Sequence, residues 1–98
     1  MLVRTVLVRG ASMEPTLRDG DCLLARAGGR VRPGRVVLGR LWGRPELLVV
    51  KRAVERLGDG WLLASDNAAA PGAAGGPAHV EAVVLGRGWP PGRAGRVR

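Results

Sequence analysis

The 98-residue sequence predicts a mainly β domain, arranged as a twisted or barrel-like sheet. Short runs rich in Val and Leu recur along the chain, and segments rich in Gly, Pro and Asp separate them. Helical periodicity extends over no more than one turn. Hydrophobic residues make up 46% of the chain and charged residues 24%, close to the averages of globular domains. We therefore expect one folded domain with a small core.

The apolar runs define six expected strands. The first run alternates apolar and polar residues, which is typical of a half-buried strand. A Gly-Asp-Gly segment at residues 58–60 lies between two later runs, and this pattern favours a β-hairpin. The expected strands are residues 2–9, 22–26, 35–41, 46–55, 61–64 and 80–87.

The segments outside these strands predict three other structures. Residues 13–18 predict one short helical turn, with Pro15 near its start, where proline is tolerated. Residues 68–77 consist of Ala, Gly and Pro alone, which predicts a flexible loop. Residues 89–98 contain two prolines, Pro90 and Pro91, and three arginines. We expect them to form a flexible basic tail without a core face. The folded domain is then expected to span residues 1–88.

Hydropathy and cysteine content limit where the chain is expected to work. No apolar run approaches the roughly 20 residues that span a bilayer. The first apolar run is interrupted by Arg4 and Arg9 and is too short for the hydrophobic region of a secretory signal. We therefore expect no membrane anchor in this chain and a cytoplasmic location. The single Cys22 cannot form an internal disulfide, and we expect a buried, unreactive thiol.

The formal net charge of +8 raises the question of nucleic-acid binding. Several arginines crowd a Gly-rich segment at residues 26–35, and others lie in the tail. The aromatic residues, however, are three Trp with no Tyr or Phe to stack on bases. The abundance of Arg, Ala and Gly with almost no Lys is what a GC-rich coding sequence produces. We expect no specific nucleic-acid partner, and a basic β module that binds nucleic acid or protein is the non-enzymatic alternative.

Lys51 is the one lysine among the sixteen basic residues, and it can do proton chemistry that arginine cannot. Strand alternation places Leu47, Val49 and Ala53 on the same face as Lys51. Burial among apolar groups disfavours the ammonium form and lowers a lysine pKa. Moving that pKa from about 10.4 to about 7 costs roughly 4.6 kcal/mol, which only a well-packed site can supply. A lysine that extends from a sheet edge into solvent is the structural alternative.

Four separated segments resemble, in order, the sequence boxes of the signal peptidase I family, whose clan relatives are the self-cleaving repressor domains. The segments are Ser-Met-Glu-Pro-Thr-Leu at residues 12–17, Gly-Asp at 20–21, Lys-Arg at 51–52 and Asp-Asn at 66–67. Together they cover most of residues 8–87. The stretches 31–34, 47–53 and 84–87 are similar to the short, anchor-free maturation proteases of nickel-type superoxide dismutase. The resemblance implies the twisted, barrel-like sheet of this clan.

The resemblance also implies a catalytic mechanism that needs neither a cofactor nor a metal. Ser12 would be the nucleophile and Lys51 the general base. The backbone N–H of Ser12 would contribute to an oxyanion hole, and Met13 would line the substrate pocket. Many members carry a hydroxyl two residues before the nucleophile. Gly10 stands there in this chain, so Gly10 is expected to belong to the oxyanion hole or substrate pocket with Ser12 and Met13, and the second oxyanion donor is expected to be a backbone group.

The same resemblance assigns structural roles beside the dyad. Arg52 would pair with Asp66 on the strand face opposite Lys51, and Asn67 would support the same region. The function implied is a cytoplasmic endopeptidase that removes an N-terminal leader from a protein precursor. A nickel superoxide dismutase precursor is the expected substrate.

The chain departs from the family pattern in ways that leave a catalytically impaired homologue as an alternative. Ser65 replaces the Gly of the usual Gly-Asp-Asn box, and Gly34 is followed by Arg35 where Asp is usual. Residues 68–77 replace a Ser- and Asp-rich segment that in relatives holds the lysine amine. Lys51 is then expected to be held by a backbone carbonyl, by Ser65 or by water.

His79, the single histidine, is a second candidate base for Ser12. It lies next to the Gly, Pro and Ala segment and outside any recognisable nucleophile motif, which favours a surface histidine. One histidine and one cysteine cannot assemble a zinc site from His and Cys ligands. Asp19 and Asp21 flank a turn glycine, and we expect them to stabilise that turn.

Overall fold

The computed structural model describes residues 2–97 and confirms a mainly β fold. Over that range, no helix has the length and apolar character needed to span a membrane. A short 3₁₀ helix, Pro91–Arg93, precedes the last strand. The strands of the described residues are β1 (Val3–Leu7), β2 (Cys22–Ala27), β3 (Val36–Leu41), β4 (Arg44–Leu57), β5 (Gly60–Ala64), β6 (Gly76–Trp89) and β7 (Gly95–Arg96).

Four of the strands close into a ring. The sheet order is β1, β2, β6, β3, β4, β5, and β5 also pairs with β6. All pairings are antiparallel. Strands β3, β4, β5 and β6 therefore form a small closed barrel, and β1 and β2 extend it as a flap on one edge of β6. The closure removes the free edges that an open sheet would expose on β5.

Two hydrophobic clusters fill the fold. Strands β3 and β6 contribute to both, because neighbouring residues point to opposite faces and each face is covered. Every strand of the ring contributes to the cluster that lies within the barrel: Val37, Ala53, Trp61, Leu63, Ala78 and Val83. The other cluster packs the β1 and β2 flap and the loop between them onto the outer barrel surface: Val8, Met13, Leu17, Leu23, Ala25, Val36, Leu38, Ala82, Val84 and Val97.

The flexible loop predicted at residues 68–77 is shorter in the structure. Strand β6 begins at Gly76, and Gly76 and Pro77 pair with Leu63 and Leu62 of β5. This pairing closes the barrel, and no local sequence pattern in residues 68–77 predicts it. The helical turn predicted at residues 13–18 contains one helix-type hydrogen bond, from the Leu17 amide to the Met13 carbonyl at 2.9 Å.

Residues 95–97 pack against the domain, which corrects the expectation of a tail without a core face. Gly95 and Arg96 pair with Arg87 and Gly86 of β6, and Val97 is 9% exposed in the outer cluster. The close approach depends on Gly86. A Cβ there would lie 2.8 Å from the Gly95 carbonyl oxygen.

Candidate active site

The loop between β1 and β2, residues 8–21, carries Ser12 and is here called the nucleophile loop. Its ends are joined by hydrogen bonds from the Val8 amide to the Asp21 carbonyl and from the Gly20 amide to the Val8 carbonyl, both 2.8 Å. The Gly10 amide donates to Asp19 Oδ1 at 2.7 Å. Gly10 has φ +83°, a conformation in which other residues are strained. Ser12 therefore lies on a loop with a defined backbone path.

A buried ion pair supports the base of this loop. Asp21 is 2% exposed, and its Oδ2 accepts hydrogen bonds from the Arg18 amide at 2.9 Å and from Arg87 at 3.0 Å. Arg87 also donates to the Thr16 carbonyl oxygen at 2.9 Å. Asp21 thus does more than stabilise its turn. Sequence reasoning missed the role of Arg87, although Arg87 belongs to the Val-Leu-Gly-Arg stretch that carries part of the resemblance.

The segment that follows β5 holds the backbone on both sides of Ser12. The Asn67 amide donates to the Ser12 carbonyl oxygen at 2.8 Å, and the Asn67 side-chain amide donates to the Ala11 carbonyl oxygen at 3.2 Å. The Asp66 amide donates to the Met13 sulfur at 3.4 Å. These contacts connect Asn67 to the nucleophile loop on both sides of the Ala11–Ser12 segment.

Arg52 and Asp66 form a two-pronged ion pair. Arg52 Nε lies 2.8 Å from Asp66 Oδ1, and a second guanidinium nitrogen lies 2.6 Å from Oδ2. Arg52 also donates to the Gly34 carbonyl oxygen at 2.8 Å, and the Thr16 hydroxyl donates to Asp66 Oδ2 at 2.6 Å. The hydrogen bond from Arg52 lowers the pKa of Asp66 most, the Thr16 hydroxyl lowers it further, and burial opposes both. The pair joins β4, the nucleophile loop and the segment after β5.

Lys51 is buried, with 2% of its surface exposed. Its ammonium group donates to the Ser65 hydroxyl at 2.7 Å and to the Gly72 carbonyl oxygen at 3.3 Å. Burial lowers the pKa of Lys51. Of the lysine holders expected from the sequence, the structure contains both the backbone carbonyl and Ser65.

One pocket of about 350 Å³ is lined by Ser12, Met13 and Lys51 together. Among residues 2–97, the lysine ammonium hydrogen-bonds Ser65 and Gly72 and makes no hydrogen bond to Ser12. The other lining residues come from the end of β1, from β4 and from the loop after β5: Val6, Leu7, Val8, Arg9, Leu47, Leu48, Val49, Val50 and Gly72.

Two backbone amides in the nucleophile loop differ in their availability. Within the described part of the chain, the Ser12 amide donates no hydrogen bond, so it is free to bind an oxyanion. The Gly10 amide is engaged by Asp19, and Gly10 is absent from the described lining of the pocket. This differs from the expectation that Gly10 belongs to the oxyanion hole or substrate pocket. Met13 does line the pocket, although 98% of its surface is buried.

Comparison with family models identifies what kind of domain carries this pocket. Residues 3–86 match the model described as Peptidase S24-like. The chain belongs to this family. The matched range contains Ser12, Lys51 and the supporting residues Arg52, Asp66 and Asn67, so the domain is peptidase-like over the whole site. Searches for similar curated proteins and for similar solved structures found no match.

The other candidate residues lie apart from this pocket. His79 of β6 lies beside Trp42, with ring centroids 5.7 Å apart, and does not belong to the described pocket lining. Cys22 is a free thiol and is half-buried rather than fully buried as predicted. Over the described residues, no three His, Cys, Asp or Glu side chains are grouped so as to hold a metal ion.

The Arg52 and Asp66 pair predicts strong energetic coupling. Arg52→Gln and Asp66→Asn should each destabilise the domain, and the double variant should lose less than the sum, because each single change leaves a partly buried charge without its partner. We expect a coupling of about 1–3 kcal/mol in the free energy of unfolding, measured by urea denaturation as a double-mutant cycle. The exposed pair of Arg44 and Glu46, 3.9 Å apart, is the control, and its coupling should be near zero.

The lowered pKa of Asp66 adds a pH dependence to the same cycle. The stabilisation from this carboxylate should be fully present above the unfolded-state pKa of about 3.9 and should disappear as pH falls through the lower folded-state pKa. The difference in unfolding free energy between wild type and Asp66→Asn should therefore shrink below about pH 4. A difference that stays constant down to pH 2, or a cycle without coupling, would show that the pair is absent in solution.

Proposed function

We propose that this Peptidase S24-like domain is a Ser-Lys endopeptidase that removes an N-terminal leader from a protein precursor. One observation carries the proposal: Ser12 and Lys51 line the same pocket, and Lys51 is buried there with a lowered pKa. A buried lysine of this kind can serve as a general base, which arginine cannot. His79 lies outside the described lining of that pocket, so it is not the proposed base.

In the proposed acylation step, the Ser12 oxygen attacks the carbonyl carbon of the scissile peptide bond. The hydroxyl proton passes to the uncharged Lys51 amine, and negative charge develops on the carbonyl oxygen. The backbone amide of Ser12, which donates no hydrogen bond within the described chain, would donate to that oxygen. When the intermediate collapses, the Lys51 ammonium returns the proton to the departing amine, and the leader remains as an ester on Ser12.

In the proposed deacylation step, Lys51 acts as a base a second time. Water attacks the ester carbonyl and gives its proton to the amine, and the tetrahedral intermediate then releases the Ser12 oxygen, which takes the proton from Lys51. The products are the free enzyme and the carboxylic acid of the leader, which ionises by releasing its proton to solvent. Atoms and charges balance without a metal or cofactor.

The contacts of Lys51 fit the base role in a specific way. An uncharged lysine amine has two N–H bonds and one lone pair. The Ser65 hydroxyl and the Gly72 carbonyl accept two hydrogen bonds from Nζ, at 2.7 and 3.3 Å. With both N–H bonds engaged, the lone pair remains to accept the Ser12 proton. Ser65 is then a positioning residue, and it replaces the hydroxyl that relatives supply from the segment after Asp-Asn.

We further propose a nickel superoxide dismutase precursor as the substrate and the cytoplasm as the place of cleavage. The similarity of residues 31–34, 47–53 and 84–87 to the maturation proteases of that enzyme supports this substrate. The chemistry is coherent, because a nickel hook uses the free amine of a new N-terminus as a ligand. Leader removal would create that amine.

An impaired homologue is the second candidate, and one contact favours it. In the structure Lys51 donates to Ser65 and Gly72 and not to Ser12, so the proton relay has to form on substrate binding. Catalytic hydrogen bonds are often incomplete in free enzymes, which keeps the peptidase as the first candidate. Reaction of Ser12 with a serine-directed acylating probe separates the two, because an impaired site would not be acylated.

The dyad predicts the outcome of two substitutions. Ser12→Ala should abolish precursor cleavage and leave the fold intact, since it removes one hydroxyl. Lys51→Arg should be equally inactive, because a guanidinium cannot accept a proton. A purified precursor is incubated with each variant, and gel electrophoresis measures how much of it is cleaved. Circular dichroism verifies that each variant is folded. Undiminished cleavage by Ser12→Ala would refute the nucleophile, and an active Lys51→Arg enzyme would refute the base.

The lowered pKa of Lys51 predicts how the acylation rate depends on pH. The amine must be uncharged before Ser12 can attack, so the acylation rate should increase with pH through an apparent pKa well below the ordinary lysine value of about 10.4. Stopped-flow measurement of the acylation rate at a series of pH values gives this apparent pKa. His79→Ala should give the same profile as wild type. An inflection that disappears in His79→Ala would identify histidine as the base instead.

The Ser65 contact predicts a rescue pattern. Ser65→Ala should reduce the acylation rate by about tenfold or more, because misplacement of a catalytic group is costly even when the group is present. Ser65→Thr retains the hydroxyl and should recover most of the rate. The melting temperature should change little in either variant. Equal losses in Ser65→Ala and Ser65→Thr would show that the hydroxyl does not position the amine.

A further inference from the structure

Five arginines gather on the surface around the connection from β2 to β3 and the hairpin from β4 to β5. Two adjoining concavities of about 730 and 270 Å³ share Gly29, Arg30 and Arg32 in their linings. Neither contains Ser12 or Lys51 in its described lining. We call this surface the arginine patch, and its basic residues are Arg26, Arg30, Arg32, Arg35 and Arg56.

The patch has little internal charge compensation. Within residues 2–97, the ion pairs are made by Arg4, Arg40, Arg44, Arg52 and Arg87, none of which belongs to the patch. One carboxylate, Asp59, lines the larger concavity. Arg35 donates to the Val84 carbonyl oxygen at 3.4 Å. Clustered like charges raise the free energy of the domain and generate a positive potential, which an anionic partner would neutralise.

The shape and composition of the patch favour carboxylates of a polypeptide over a nucleic acid. Trp61, the one aromatic residue of the lining, is 8% exposed and cannot stack on a base. The surface is a concavity rather than a projecting helix or ribbon that could enter a groove. Arginine forks match carboxylate geometry with two parallel hydrogen bonds.

The position of the patch relative to the candidate active site suggests what the polypeptide is. Lys51 and Arg56 both lie on β4, five residues apart. At a rise of about 3.3 Å per residue, this separation is roughly 17 Å along the strand. An extended chain with its scissile bond beside Lys51 would need at least about five residues to span this distance to Arg56. A protein substrate is therefore long enough to occupy both places at once.

We propose that the arginine patch binds an acidic segment of the protein substrate, at least about five residues from the bond that Ser12 attacks. The proposal rests on the proposed function, because it assumes that the substrate is a polypeptide. The patch would increase affinity and association rate for substrates with Asp or Glu at that distance, without taking part in the chemistry. Its contribution should weaken as salt screens the charges.

Direct binding tests the patch without using catalysis. Fluorescence anisotropy is measured with labelled deca-glutamate, with deca-lysine and with a single-stranded decathymidylate as probes. We expect deca-glutamate to bind at low salt, deca-lysine not to bind, and decathymidylate to bind more weakly. The double variant Arg30→Glu, Arg32→Glu should bind deca-glutamate at least about tenfold more weakly. The matched control is the double variant Arg4→Glu, Arg44→Glu, because neither arginine belongs to the described linings of the two concavities. This control should lose less than about twofold in affinity.

Each outcome decides the proposal. Loss of affinity confined to the patch variant supports it. Absence of deca-glutamate binding, equal losses in the control variant, or decathymidylate binding that is as tight and as dependent on Arg30 and Arg32 would overturn it. Acylation of Ser12 by a small serine-directed probe does not involve the patch and should be the same in all variants. Failure of that reaction in wild type would instead count against the proposed function, so the two proposals fail separately.

Discussion

The ion pair between Arg52 and Asp66 positions the three segments that carry the candidate site. Arg52 follows Lys51 on β4, and Asp66 follows Ser65. The contacts of 2.8 and 2.6 Å therefore bring Ser65 close to the lysine that it holds. Thr16 of the nucleophile loop donates to the same carboxylate. An arginine fork and a carboxylate impose both a distance and an orientation, which a hydrophobic contact would not.

The barrel explains why a chain this short can bury a lysine. Because β5 pairs with both β4 and β6, the interior cluster is enclosed by four strands, and the outer cluster is covered by the flap and the nucleophile loop. Lys51 lies on β4, one of the four enclosing strands, and is 2% exposed. Its ammonium group retains two hydrogen-bond partners, so burial lowers its pKa without leaving the amine unpaired. Family membership makes the domain peptidase-like, and this local environment is what supports the proposed base.

The candidate site and the arginine patch illustrate two different uses of positive charge. Arg52 and Arg87 are held in ion pairs and stabilise the nucleophile loop from both sides. The patch arginines make no ion pair within the described chain and face a concavity. A composition dominated by arginine can therefore be partly a matter of coding bias and still contain side chains with separate structural and binding roles.

The sequence by itself determined the fold class and most strand positions, and it predicted the residues of the candidate site. Alternation and turn residues are local signals, so they locate strands such as β2 and β3 to within a residue or so. The ordered segments around Ser12, Lys51 and Asp66 predicted a peptidase of this clan for the same reason, since each segment is short and contiguous. The Peptidase S24-like match supports that broader assignment. Tertiary structure alone decided the closure of β5 on β6, the burial of Val97, and the pairing of Arg87 with Asp21. These features join residues far apart in the chain. They are stabilised by backbone pairing and by buried charges, and a local sequence pattern does not predict which distant residues will pair.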